Sequence, residues 1–150
     1  KEQGKSLAEV ADWLEENKLK CCHWFTVDNL YHLFKGGRVK ASGYLLAMAL
    51  SVKPMMHMDD EGHLVPVGKV IGRKKSILTL AEQIATSIVN SEEQVIFISH
   101  GDCVEEAEFL AKKIKEKVRV KDVVINMLEP VIGAHSGPGT MAVFCLGEHR

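Results

Sequence analysis

Two short runs, residues 95–99 (VIFIS) and 140–146 (TMAVFCL), carry apolar side chains at odd and even positions alike. Successive residues of a strand point to opposite faces, so a strand apolar on both must be covered on both. Between them, residues 102–117 place Val104, Ala107, Leu110, Ala111 and Ile114 at helical spacing, and residues 121–127 read as a further strand. Strand, amphipathic helix and strand in succession call for a layered α/β domain. A chain of 150 residues has room for one such domain. It buries about 68–70% of its unfolded surface, so its core needs no metal or disulfide staple.

The remaining elements fit the same plan. Residues 5–18 predict an amphipathic helix through Leu7, Val10, Ala11 and Leu14, its apolar face widened by Trp13; residues 22–27 predict a strand. Asp28 is the expected cap of a short helix, 29–35, ended by Gly36-Gly37. Residues 40–50 are apolar nearly all round and predict a buried helix. Strands are expected at 52–58 and 63–71, joined by the turn Asp59-Asp60-Glu61-Gly62, with Pro66 at an edge or a bulge. Residues 74–90 predict a helix. Asp102 and Glu105 stand at capping-box spacing, Asp replacing the usual Ser or Thr. The expected fold is thus a two-layer or three-layer α/β sandwich: a roughly six-stranded mixed/antiparallel sheet with about five helices packed on it.

Charge and cysteine usage narrow the function. The net charge of −1 argues against wholesale attraction to nucleic acid or to an anionic membrane. The distribution is uneven: residues 35–75 balance at +5 and the rest at −6, so a basic face is expected there. No apolar run approaches the ~20 residues of a membrane helix, and residues 1–5 have no signal core, so the expected location is the cytoplasm. Cys21, Cys22, Cys103 and Cys145 form no C-x-x-C motif and read as reduced, buried thiols.

Four segments could carry chemistry. In residues 133–139 (GAHSGPG), three glycines and a proline frame His135 just before a central strand. Such a loop can present an imidazole and backbone N–H groups to an anion, or be a sharp turn with a hydrogen-bonded histidine. Gly36-Gly37-Arg38 reads as a helix end with a solvated arginine. Gly72-Arg73-Lys74-Lys75 sets three cations against a helix dipole, at ~0.3–1 kcal/mol each; it is a solvated basic turn or a contact for an anionic partner. Residues 57–63 (HMDDEGH) read as a polar hairpin tip rather than a metal site. Met48, Met55, Met56 and Met58 gather near one helix–strand junction, as core or as a pliable pocket wall. The chain has no phosphate-loop, dinucleotide or serine-hydrolase motif.

Taken together and in order, FKGGRVKAS (34–42), SVKPMMHMDDEGHLVPVGKVIGRKK (51–75), SHGDC with its acidic helix (99–106) and PVIGAHSGPGT (130–140) resemble the C-terminal domain of the DegV family of bacterial fatty-acid-binding proteins. The resemblance runs over essentially the whole chain. It implies a two-domain parent in which a long-chain fatty acid is buried. The tail would lie in this domain, with Met48 and Met56 on its wall. The carboxylate would sit at the domain junction near His135, Ser136, Gly137 and Gly139, completed by hydroxyl groups of an N-terminal domain that this chain lacks.

The resemblance also implies a non-catalytic protein without cofactor or metal, presenting its fatty acid to a fatty-acid kinase. Arg38 and Arg73 match the arginines that dock that kinase; Ile71 stands where many relatives have a basic residue. Two other readings stay open on the residues alone: an enzyme using His135 on a small acyl substrate, and an interaction module using the basic 35–75 face. Burying ~16 methylenes at about 0.8 kcal/mol each sets an upper bound near ~13 kcal/mol, so a tail would supply most of the affinity and the head group the orientation.

Overall fold

Among the described residues, alternating or doubly apolar runs become six strands: β1 (Cys21–Thr26), β2 (Val52–Met58), β3 (Leu64–Ile71), β4 (Val95–His100), β5 (Asp122–Met127) and β6 (Met141–Leu146). They form one mixed sheet in the order β3-β2-β1-β6-β4-β5, with the doubly apolar β4 and β6 in its interior. Only β4 and β5 pair in parallel, across the predicted helical crossover. The computed structural model describes residues 3–39 and 52–150. The helix expected at 40–50, with Met48, lies outside the described residues.

Five α-helices are found among the described residues: α1 (Leu7–Asn17), α2 (Tyr31–Lys35), α3 (Arg73–Ser87), α4 (Val104–Lys117) and α5 (Pro130–Ser136). Helices α3 and α4 bury Ile77, Leu80, Ala81 and Ile84, and Ala107, Leu110, Ala111 and Ile114, at the i, i+3, i+4, i+7 spacing of one helix face. These pack on Cys22, Ile96, Ile98, Met141, Val143 and Cys145 of the sheet. Each fully buried aliphatic contributes about 1.5–3 kcal/mol, so this layer carries most of the fold's stability.

Among the described residues, the other sheet face is less covered. Its side chains alternate with the core ones: in register, Phe97 opposes Phe144, which opposes His23, and one row along Ser99, Ala142, Phe25 and Met56 stand side by side. Phe97 is 51% exposed. Pro66 sits on the edge strand β3 and beside its bulge, where Met55 opposes Gly68 and Met56 opposes Pro66, so its missing N–H breaks no interior ladder.

Several local expectations are corrected. Helix α2 begins after Asn29, whose Oδ1 accepts from the Tyr31 N–H; Asp28 is instead held by Lys53 Nζ, which donates to its carbonyl and to Oδ1, each at 2.6 Å. The Asp102–Glu105 capping box does not form: Asp102 has φ +52, and Cys103 is the N-cap, its N–H donating to His100 Nδ1 at 3.2 Å. Helix α3 stops at Ser87, short of Asn90, which takes φ +46. Helix α1 starts with a full capping box between Ser6 and Glu9, and none of its residues is buried.

Candidate functional site

The loop expected at 133–139 is a helix in its first half. Glu129 caps it by accepting from the Ile132 N–H, and Pro130 fits its first turn, where no N–H is needed; α5 therefore carries His135 in its last turn. Gly137, at φ +81, and Gly139, at φ +74, then turn the chain into β6. Strands β1, β4 and β5 run in one direction and end where β6 begins, so α2, the start of α4, and α5 all meet at one end of the sheet. That is the end at which open α/β sheets hold their ligands.

Three contacts join residues 28–36, on and around α2, to the glycine segment in antiparallel order. A Cβ built on Gly139 would lie 2.5 Å from Asp28 Cβ; one on Gly137, 2.3 Å from His32 Cδ2; one on Gly36, 2.7 Å from His135 Nδ1. No side chain larger than hydrogen fits there without movement. Gly36 has φ −76, which any residue adopts, so its need for glycine comes chiefly from the His135 ring, with a milder contact to His32 O at 3.2 Å, rather than from backbone conformation.

Hydrogen bonds fix the rest of the segment. Gly137 N–H donates to Gly133 O at 2.8 Å and Gly139 N–H to Gly101 O at 2.7 Å. Pro138 has no N–H, so the anion-cradling backbone donors expected between 137 and 139 are already spent. Ser136 is buried, and its hydroxyl donates to Ile132 O at 2.8 Å; Thr140 Oγ1 donates to Gly137 O at 2.7 Å. Burial pushes the Cys103 thiol up, and Cys103 remains a donor to Thr140 O at 3.5 Å. Among the described residues neither ring nitrogen of half-buried His135 has a hydrogen-bond partner. The free polar group of this segment is thus the imidazole.

The two predicted arginines differ. Arg38 is exposed, and its guanidinium folds back to donate to Gly36 O, behind the seat of His135. Arg73 is tied down: its Nε and Nη2 donate to Glu106 Oε2 at 2.9 and 2.5 Å, bracing α3 against α4, and its side chain is 17% exposed. Met56 is buried beside Phe25, on the second sheet face.

Apolar surface surrounds this end of the sheet: Met127, Val131, Ile132 and Val104 are 66%, 64%, 51% and 49% exposed. A groove of about 480 Å³ elsewhere, between α4 and β5, is lined by Glu108, Ala111, Lys112, Lys115, Glu116, Val123 and Ile125 and includes none of the predicted site residues. At the β2–β3 tip, ligand atoms of Asp59, Glu61 and His63 lie within 4.8 Å of one another, largely in solvent.

Sequence reasoning missed His32, Gly36 as a seat, and the Asp28–Lys53 clasp. The Gly-Gly pair after α2 held part of the signal, because a helix end needs only one glycine at positive φ and Gly37, at φ +73, is that one.

Compared with known families, residues 1–148 match the model described as "Uncharacterised protein, DegV family". A DegV domain-containing protein of Clostridium perfringens is 50% identical over 150 residues, all of this chain and 52% of the relative. Among solved structures, a Thermotoga maritima protein described as revealing fatty acid binding function superposes with a TM-score of 0.78 at 29% identity, over 97% of this chain and 50% of that one. A fatty acid binding DegV family protein of Streptococcus agalactiae gives 0.81 at 27% identity, over 99% and 52%. The chain spans about half the length of the curated relatives it matches.

Proposed function

The chain belongs to the DegV family, and from that premise we propose that it binds a long-chain fatty acid, its carboxylate at His135 and its tail against the second sheet face. The observation that carries the reading is an imidazole with both nitrogens unpartnered among the described residues, at a sheet end ringed by exposed Met127, Val131 and Ile132. An imidazole can donate a hydrogen bond to a carboxylate, more strongly when protonated. The row Phe97, Phe144, His23 and its neighbour row through Phe25 and Met56 offer apolar surface to an alkyl chain. At about 0.8 kcal/mol per buried methylene the tail dominates affinity and the histidine sets direction.

The proposed role is presentation or carriage rather than catalysis, with no cofactor. In the whole protein an N-terminal domain would complete the carboxylate site, and exposed Arg38 would meet a fatty-acid kinase in the cytoplasm; Arg73 would contribute there only by giving up Glu106. Native mass spectrometry and lipid extraction test the binding. One long-chain acid per chain, retained from the host or taken up on addition, is expected. A protein that carries none and takes up none overturns the proposal.

A further inference from the structure

Two imidazoles, not one, flank the junction of α2 and α5. His135, on α5, packs its Nδ1 edge on Gly36 at the end of α2; His32, on α2, packs its ring on Gly137 just past α5. Each histidine lies on the glycine that the other's helix supplies. At 2.7 and 2.3 Å from where a Cβ would stand on Gly36 and Gly137, the two rings occupy the space a side chain at either glycine would need. His32 is half-buried, and Tyr31 stands edge-on to it at 5.5 Å between centroids, limiting its sideways freedom.

We propose that His32 is a positioning residue for His135: its ring wedges the Gly137 backbone and so fixes the height and orientation of the α5 turn that carries the second imidazole. The role follows from shape. Gly137 N–H holds the last turn of α5 by donating to Gly133 O, and Gly101 and Thr140 hold the segment from the far side. Without the His32 ring the near side would keep only the Asp28–Gly139 and Gly36–His135 contacts, leaving a gap at Gly137 into which the turn can settle. Packed interiors shift in discrete steps rather than deform smoothly, so a lost ring moves the whole turn. In binding, which rests on the fatty-acid reading above, His32 then sets how well a carboxylate is discriminated from an uncharged head group.

The test has two arms. In the first, without ligand, the histidine ring signals of the protein are recorded by NMR, with His135 assigned from its loss in His135→Gln. His32→Ala should displace the His135 signal by more than its line width, whereas His32→Phe, which keeps a flat ring on Gly137, should restore it and His63→Gln should leave it alone. An unmoved His135 signal in His32→Ala, or one that His32→Phe fails to restore, overturns the proposal. Should His32→Ala not fold, the His32→Phe and His32→Leu pair decides, the flat ring expected to match wild type and the branched chain to shift it.

In the second arm, a long-chain acid and the matching alcohol are titrated. His32→Ala should lower the acid-over-alcohol preference about tenfold, the scale of one charge-assisted hydrogen bond, and should add nothing in a His135→Ala background. Full additivity of the two substitutions refutes the positioning role. A wild-type protein that binds neither compound refutes the fatty-acid reading, while the first arm still decides on His32.

Discussion

Replacing Gly36 by alanine should change sign with the residue at position 135. At φ −76 and ψ −1 the Gly36 backbone suits alanine, and such a substitution alone stabilises by about 0.4–1 kcal/mol through the unfolded state. The new Cβ, however, would stand 2.7 Å from His135 Nδ1 and 3.2 Å from His32 O. Pushing the ring aside costs about 1–3 kcal/mol, the usual range for overpacking. Gly36→Ala should therefore destabilise the wild-type protein and be neutral or stabilising with His135→Ala, where only the milder carbonyl contact remains. The coupling in the double-mutant cycle is the clash itself, about 1–3 kcal/mol. Urea unfolding of the four proteins, read as midpoint shifts at constant m-value, measures it. Equal destabilisation by Gly36→Ala in both backgrounds would refute the claim that His135 sits on that glycine.

The two arginines should separate in the same assay: Arg73→Ala leaves Glu106 unpaired and should cost about 1–3 kcal/mol, whereas exposed Arg38→Ala should change stability by less than ~0.5 kcal/mol. His23 and His57 are both held below the ordinary imidazole range, by burial first and then by Arg150. Each binds a proton more readily unfolded than folded, so stability should be full above ~6.5 and fall as pH drops through that value toward the lower folded ones; urea midpoints should show a smaller fall in His57→Phe. His57 also stacks on Trp24 at 4.7 Å, so the same substitution should flatten the pH dependence of tryptophan emission between those limits. Cys22 and Cys145 are buried as direct cross-strand neighbours and should resist a bulky thiol reagent in the native state, while half-exposed Cys21 and Cys103 react first.

How much was legible followed from which force fixes each element. The doubly apolar β4 and β6 and the strict helical spacing of α3 and α4 are dictated by burial, so periodicity placed them to within a few residues. Pro66 was placed correctly because a missing N–H restricts a residue to few positions. The failures came where polar geometry decides. Asp28 and Asp102 have the right side chain to cap, but Lys53 claims the first and a left-handed backbone turns the second aside. Helix α5 was hidden by its Gly133 and by the turn glycines after it, although Glu129-Pro130 is a helix-start signal. The glycines around His135 marked it out as a candidate. Its contact with Gly36 was not, since nothing in local sequence reports which distant backbone an imidazole will lean on.

In the proposed function, the position-135 imidazole receives the head group of an acyl ligand whose tail lies on apolar protein surface. Calorimetric titration of wild type and His135→Ala with a long-chain acid and with its alcohol is the decisive measurement. Wild type should prefer the acid, and His135→Ala should lose the preference while still binding the alcohol. An acid preference that survives the loss of His135 would contradict it.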